Sequence, residues 1–550
     1  MILRVKEETY TGGELKLPYE LSLTADQSYA DKSVQLLALF VPLCRVSYEK
    51  SGGMICAELT DRYEDQPERY HLKIGDGCVK MEYSAYIGLR NALSAFYMLA
   101  NAKEEGLVLP EGEIEDYPDA SYRGVLIDLA RGIKSFDKLK RDVIMIGRAR
   151  MNVLHLHLAD SQGICFHAET LPEEMCIPNA YTKEQMRELN QLAKLLALEV
   201  IPEFDVPAHA NKLLTVYPEL KCRVPGKEPE KVSTWVVCAG AEDAYELLEK
   251  VIAEIMELFP GEYFHMGGDE LEFADFPGGK SVCHWDECER CKALKEREGL
   301  EDQLDVYYYF VKRIYKMVTD AGRRLMMFSD QVDCKRTDVL PKDILMHFWR
   351  VAAVGRGPYE GCSMNGQLEM GYTLVNSYYD ETYCDNEYCM QPRVFQYWDW
   401  RKSPASDPKY ADQLLGSELC VWEYGDGEYC GHYEWTLPSS VYLMADKLWS
   451  GSFVPYDRKY SKMLTRAVLG PGTPEKLDLF HCCGELMPPR GDVTIYALKT
   501  PAGAIEIREA VELLKHEIRC AGGDAERAHV YLKSMEKLYN WFDHSYVVEE

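Results

Sequence analysis

YRGVLIDLARGIKSFDKLKRDVIMIGRARMNVLHLHLAD, residues 122–160, is the stretch on which the fold turns. It opens with a short apolar run, Arg123–Asp128. A charged run with apolar residues at helical period follows, Asp137–Arg150, and then a second apolar run, Asn152–Leu158. Strand, helix and strand joined by short turns make a βα unit. The texture repeats downstream. Candidate strands fall at Glu199–Phe204, Tyr263–Gly267, Arg324–Phe328, Ile344–Trp349, Thr373–Ser377 and Leu419–Trp422. Helical runs lie between most of them, at Lys183–Leu198, Ala241–Leu258 and Leu304–Ala321. Eight such units close into a parallel barrel of about 250 residues or more. The pattern therefore predicts an α/β chain whose residues 119–455 form a (β/α)8 TIM barrel.

On the N-terminal side, residues 1–118 read as a small α/β domain. Apolar runs such as Val34–Val41 alternate with turn-rich stretches, and Ala85–Ala100 has helical spacing. Leu109–Asp119 combines Pro, Gly and acidic residues and reads as the linker into the barrel. On the C-terminal side, Ile505–Cys520 and Asp524–Phe542 have helical spacing, so 456–550 is expected to be a mainly helical appendage.

The chain of 550 residues is 47% hydrophobic and 28% charged, enough to bury a core without a disorder signature. Its 62 basic and 90 acidic residues give a formal charge of −28, which argues against nucleic acid or an anionic membrane as partner. No run approaches the roughly 20 apolar residues of a membrane span. MILRVKEETYTGGELKLPYE does not read as a signal peptide, and the 19 scattered cysteines read as reduced thiols. The expectation is a soluble, cytoplasmic protein. Oligomeric state is open, a homo-oligomer included.

In a barrel of this type, functional side chains gather at the C-terminal ends of the strands. Those ends read Asp128–Arg131, Asp160–Gln162, Glu203–Asp205 with His209, Gly268–Glu270, Ser329–Asp330, Trp349–Arg350, Ser377–Tyr379 and Trp422–Tyr424. Carboxylates and tryptophans at one mouth suit a carbohydrate. Hydroxyls take hydrogen bonds, C–H faces stack on rings, and glycosidic cleavage needs an acid and a group to stabilise an oxocarbenium-like centre.

The sharpest motif is His265-Met266-Gly267-Gly268-Asp269-Glu270. Neighbouring acids on a strand face opposite ways, and two glycines supply the freedom to turn both into one pocket. An acidic helix N-terminus would present the same pair, so the motif alone leaves both readings open.

HMGGDE resembles the signature of family 20 glycoside hydrolases, the β-N-acetylhexosaminidases. Further matches occur in the family's order. Tyr122-Arg123-Gly124 with Ile127-Asp128-Leu129-Ala130-Arg131 resembles the first strand. Asn152-Val153-Leu154-His155-Leu156-His157-Leu158-Ala159-Asp160 resembles the second. Ile201-Pro202-Glu203-Phe204-Asp205-Val206-Pro207-Ala208-His209-Ala210 resembles the third. The resemblance implies an exo-acting retaining enzyme, with the substrate's acetamido oxygen attacking C1 to form an oxazolinium. It makes Glu270 the acid and base, held protonated by its neighbour. Asp269 orients the acetamido group. Arg123 fixes sugar hydroxyls, and Asp160 with His209 supports the acid. Tyr383 binds the acetamido carbonyl, Asp385 holds the ring, and Trp349, Trp398 and Trp422 line the sugar site. Ser377 precedes that Tyr-x-Asp, and Tyr378-Tyr379-Asp380 offers a competing register.

Two stretches depart from the family. Phe328-Ser329-Asp330 stands where Trp-Asp-Glu is usual. Trp422-Glu423-Tyr424 displaces an acid by one position, which on a strand reverses its face and puts the outer-hydroxyl contact of Glu423 in doubt. Two other readings compete: a catalytically silent carbohydrate-binding protein, and a retaining glycosidase using Asp160 or Asp330 as nucleophile about 5 Å from Glu270. Finally, Cys283-His284-Trp285-Asp286-Glu287-Cys288-Glu289-Arg290-Cys291 holds donors enough for tetrahedral zinc. His284 adjoins Cys283, however, and no second Cys pair follows nearby. Whether Cys283, Cys288 and Cys291 bind zinc stays open; the reading preferred is a loop of reduced thiols, with no cofactor or metal expected.

Overall fold

A computed structural model of the chain describes residues 4–271, 283–336, 338–350, 362–384, 398–402, 406–425, 433–451 and 458–471. Asp385 and the helical stretches 505–520 and 524–542 lie outside them. Eight parallel strands form the barrel: β1 Tyr122–Asp128, β2 Val153–Asp160, β3 Glu199–Phe204, β4 Tyr263–His265, β5 Arg324–Phe328, β6 Leu345–Phe348, β7 Thr373–Asn376 and β8 Leu414–Val421. Each pairs with the next, and β8 returns to β1 through Gly416 opposite Tyr122 and Val421 opposite Ile127. Helices Phe136–Arg148, Lys183–Leu195, Glu242–Leu258 and Gln303–Asp320 fall where helical period places them. β8 begins at Leu414, five residues ahead of the apolar run at 419 that marks it in the sequence.

β1 and β2 are buried along their whole length because helices cover the outside and side chains fill the inside. Alternate residues point inward. At the bottom, Tyr122, Val153, Ile201, Met326, Leu345 and Val375 close the barrel with an apolar plug. Above it lies a polar layer. His155 bridges Glu203 at 2.9 Å and Glu418 at 2.8 Å, and His157 bridges Glu203 and Asp160 at 3.0 Å each. Glu203 is fully buried, yet the surrounding histidines hold its carboxyl well below the usual range against the desolvation that would raise it. This network connects the barrel's interior to its C-terminal mouth through Asp160.

In front of the barrel, the N-terminal sheet orders its strands Glu7–Leu17, Gly106–Asp116, Tyr70–Gly75, Cys78–Tyr83, Ile55–Leu59, Glu20–Thr24 and Arg45–Tyr48. The run at 34–41 lies mostly in the helix Ala30–Phe40. The stretch read as a linker is different. Leu109–Asp116 belongs to the long strand Gly106–Asp116, which pairs on both sides. Pro110 is accommodated there because it stands opposite Glu14, beside a register shift, and bulges are where sheets tolerate proline. The helix Tyr86–Leu99 is buried on nearly every side, since it lies between its own sheet and the barrel. Its Arg90 donates to the carbonyls of Gly147 and Met151.

Candidate active site

Asp269 and Glu270 follow directly from β4. Gly267 (φ +70°) and Gly268 (φ +92°) take left-handed backbone conformations, and Glu270 itself has φ +51°. A Cβ at 267 would collide with the Asp205 carboxylate, so only glycine fits the turn. Tyr307 Oη donates to Gly268 O at 2.8 Å and Asp330 Oδ2 accepts from Glu270 N at 3.2 Å. The two acids consequently share one mouth rather than opposite faces of a strand. They do not begin a helix among the described residues.

Behind Glu270 runs a chain of charge. His209 Nε2 lies 3.5 Å from Glu270 Oε2 and 3.7 Å from Asp269 Oδ2, while its Nδ1 lies 3.2 Å from Asp160 Oδ2. Asp160 is further held by Arg131 at 2.6 Å and His157 at 3.0 Å. Burial works against the charged imidazolium, but Asp160, Asp205 and Asp269 together hold His209 well above its ordinary value. Trp235 packs its ring against His209 with centroids 4.4 Å apart and planes tilted by 50°, and its Nε1 donates to Glu270 O at 3.1 Å.

The two acids are tuned in opposite directions. Desolvation, followed by the charges of Asp330 and Glu270, raises Asp269 to about 7 despite His209. Burial also acts to raise Glu270, but the His209 hydrogen bond and the charges of His209, Arg350 and Arg131 bring it down to about 2. The expectation of a protonated Glu270 is thus reversed in the free chain: its cationic neighbours outweigh its acidic one. Asp269 Oδ1 is buried with no hydrogen-bond partner, an acceptor facing a site rather than the protein.

Aromatic walls complete the mouth. Tyr383 stacks on Trp349 with centroids 6.0 Å apart and planes 14° apart, and lies 5.8 Å from Trp422. Burial and the nearby Cys420, Asp269 and Glu270 push its hydroxyl well above its ordinary value. Of the competing registers, Tyr383 is therefore the one near the acids. Ser377 is buried against His347 at 2.6 Å. Trp398 sits in the main core, its carbonyl accepting from Lys447 at 2.8 Å. Phe328, at the departure after β5, is buried and stacks on His347. Trp422 and Glu423 lie beyond the end of β8, and Glu423 turns left-handed at φ +54° with its N–H on Asp128 Oδ2. Strand alternation therefore does not govern which way its acid faces.

Arg123 requires correction. It stands at the start of β1, so it emerges at the end of the barrel opposite the acids. There it is fully buried, bonded to Glu68, Ala120 O and Arg150 O, with Trp449 over its guanidinium. No substrate hydroxyl reaches it. The arginine at the mouth is Arg131, bridging Asp128 and Asp160 and lying 5.2 Å from the Trp422 ring centroid. Arg123→Met is expected to lower stability by about 3 kcal/mol, the scale for breaking a buried ion pair, with kcat/KM unchanged in the folded fraction. Arg131→Met is also expected to lower Tm, because it leaves Asp128 and Asp160 buried without their cation, but unlike Arg123→Met it is expected to lower kcat/KM of the folded fraction roughly 100-fold by releasing Asp160. Paired melting and kinetic measurements check both, and the opposite pattern would restore Arg123 to the site.

Sequence reasoning also missed Trp235, and it named Arg350 only among the strand ends. Arg350 pairs with Asp330 at 3.0 Å and reaches Glu270 at 3.9 Å. Its place directly after Trp349, the tryptophan that follows β6, was the available signal; Trp235, deep in a long loop, offered none. Asp330 and Asp160, the two alternative nucleophiles, are both engaged in ion pairs.

Among the described residues, four cysteines converge as a possible metal set: Cys222, Cys238, Cys288 and Cys291. Cys283 is not among them. A disulfide joins Cys334 to Cys362, where reduced thiols were expected.

The model of the glycosyl hydrolase family 20 catalytic domain matches residues 121–429. The beta-hexosaminidase of Porphyromonas gingivalis is 28% identical over 339 residues, covering 58% of this chain and 41% of that protein, so the match spans less than half of the relative. The β-N-acetylhexosaminidase of Bacteroides fragilis superposes with a TM-score of 0.70 at 22% identity, covering 85% of this chain and 95% of the other. An exo β-N-acetylglucosaminidase of Vibrio harveyi, solved with N-acetylglucosamine, gives 0.69 at 19% identity, covering 85% and 75%. At such identities the structural likeness speaks for the fold. The sequence match covers more than half of the chain, including the whole closed barrel and the acid pair at its mouth: the chain belongs to glycosyl hydrolase family 20.

Proposed function

We propose that the chain is an exo-acting, retaining β-N-acetylhexosaminidase that releases terminal N-acetylhexosamine by substrate-assisted catalysis. The observation that carries this reading is the Asp160–His209–Glu270 chain with Asp269 buried beside it. Glu270 gives its proton to the leaving oxygen while the substrate's acetamido oxygen attacks C1. Asp269 accepts from the acetamido N–H and stabilises the positive charge of the oxazolinium. Water then adds to C1, Glu270 takes its proton, and the ring opens with net retention. Tyr383 donates to the acetamido oxygen, Trp349 and Trp422 wall the group, and Arg131, Asp385 and Glu423 serve the outer hydroxyls.

The titration of the acids gives this scheme a physical condition. Between about 2 and about 7 the pair holds one proton, which rests on Asp269 in the free chain. The chemistry needs that proton on Glu270. An amide N–H brought against Asp269 favours its ionised form, so substrate binding and arming of the acid are one event. A substrate without the acetamido group cannot trigger it.

A thiazoline mimic of the oxazolinium is expected to inhibit competitively with a Ki roughly 100-fold or more below the KM of a chromogenic N-acetylglucosaminide, as transition-state mimics do. The matching glucoside is expected not to turn over. Comparable turnover of both glycosides would favour an enzymic nucleophile, and absence of all turnover a silent binder; either sinks the reading. A cytoplasmic setting belongs to the same proposal, supported by the free state of Cys222, Cys238, Cys288 and Cys291; the Cys334–Cys362 disulfide speaks against it.

A further inference from the structure

Two segments come together beside the mouth: residues 205–241 after β3, and residues 283–291, which lead into and begin the helix Glu289–Glu298. Apart from the six-residue helix Asn211–Val216, the first contains only two single-turn 3-10 helices, Pro218–Leu220 and Pro229–Lys231. Regular backbone pairing contributes little to holding it, yet Trp235 within it must stay against both His209 and Glu270. The same two segments each bring a pair of cysteines to a single point.

Cys222, Cys238, Cys288 and Cys291 are all buried, and their four Sγ atoms lie within 4.8 Å of one another. Cys238 Sγ is 3.6 Å from Cys288 Sγ and 3.5 Å from Cys291 Sγ. None of the four is in a disulfide, whose sulfurs would be about 2.05 Å apart. Four thiolates at about 2.3 Å around one tetrahedral ion place neighbouring sulfurs about 3.8 Å apart, and the separations of Cys238 from Cys288 and from Cys291 come within a few tenths of that value. The outer shell fits as well. Arg223 N donates to Cys288 Sγ at 3.2 Å, Glu289 N donates to Arg223 O, and a Cβ on Gly240 would strike the backbone of Arg290 and Cys291. Backbone N–H donors to ligand sulfurs are a usual support of thiolate centres. Cys288-Glu289-Arg290-Cys291 supplies the two-residue spacing of a zinc ribbon, with Cys288 capping the helix. The second pair lies upstream in the chain, at 222 and 238.

We propose that these four cysteines bind one structural zinc ion that clamps the loop carrying Trp235 to the segment following the catalytic pair. The ligand set is all sulfur, mononuclear in its spacing and closed, with no position left for substrate, so the ion's role is structural. From the ion, the connection to the site is short. Val237 N donates to Pro207 O, Val237 O accepts from Trp285 Nε1, and Trp235 lies three residues before Cys238.

The intact chain, purified under reducing conditions without chelator, is to be assayed by elemental analysis. Expected are about one zinc per chain in the parent and in Cys283→Ser, and less than about a tenth in Cys288→Ser/Cys291→Ser. Cobalt(II) exchanged into the parent is expected to give the intense thiolate charge-transfer and visible bands of a tetrahedral sulfur site, which holds the test open should the double variant not fold. Zinc-free parent after growth with added zinc, full zinc retention in the double variant, a cobalt spectrum without thiolate bands, or one iron in place of zinc would each overturn the assignment. None of these readouts depends on glycosidase activity.

Discussion

Glu270→Gln is expected to slow hydrolysis of N-acetylhexosaminides with alkoxide leaving groups by roughly 100- to 10,000-fold, the range for removal of a general acid. The loss falls on the leaving group. A sugar alkoxide departs only with a proton, whereas a nitrophenolate departs without one, so aryl glycosides are expected to keep a larger share of the parent rate. Glutamine preserves the size of the side chain and a donor and acceptor toward His209, which leaves the Asp160–His209 ion pair in place. KM is therefore expected to change little. A plot of log kcat against leaving-group pKa, nearly flat for the parent, steepens in the variant. An equal loss for both substrate classes would mean that Glu270 acts on the fold and not on the departing oxygen.

The pH profile bears on the same residue. kcat/KM reports the free chain, where the acid pair carries its single proton only up to about 7. The alkaline limb is accordingly set by the pair. Without Asp269 to store the proton, the remaining carboxyl at 270 is held near 2 by His209 and Arg350, and the limb moves to lower pH.

Much of this was legible because the barrel writes itself in runs of period two and 3.6. The helix Lys183–Leu195 starts at Thr182 with a reciprocal cap to Gln185, a local signal that needs no tertiary knowledge. What escaped reading was non-local. Arg123 and Arg131 lie in one motif, and only strand direction separates them: a residue at the start of β1 and a residue beyond its end emerge at opposite ends of the barrel. Glu423 was assigned a face by strand alternation, but the strand has already ended. Cys222 and Cys238 precede their partners by 50 residues or more, a distance closed only by the folding of two loops. Pro110 and Gly112 punctuate a strand in the manner of a linker, and a bulge makes them compatible with the sheet. The reversed protonation of the acid pair depends on His209, Arg350 and Arg131, none of which the HMGGDE motif contains.

Asp269→Asn separates chemistry from stability most sharply. Asparagine can still orient an acetamido group, but it cannot stabilise the positive charge that develops on the oxazolinium nitrogen. Removal of one such preorganised group lowers kcat by roughly 100- to 1,000-fold, with ground-state binding largely retained. The folded chain is expected to respond in the opposite sense. Asp269 titrates at about 7 when folded against 3.8 when unfolded, chiefly because burial penalises its charge. An acid raised on folding binds its proton longer in the native state, so its contribution to stability declines as pH climbs from about 4 and is lowest above about 7. The gap corresponds to at most about 4 kcal/mol at saturation, and the attraction between Asp269 and His209, lost in the variant, offsets part of it. Asp269→Asn is therefore expected to melt a few degrees above the parent at pH 8 and at nearly the same temperature at pH 4. A stability–activity trade of this kind marks a carboxylate kept in place for its charge. A variant that melts lower at pH 8, or that keeps the parent kcat, would show that the buried carboxylate at 269 is neither desolvated nor catalytic in the way the geometry requires.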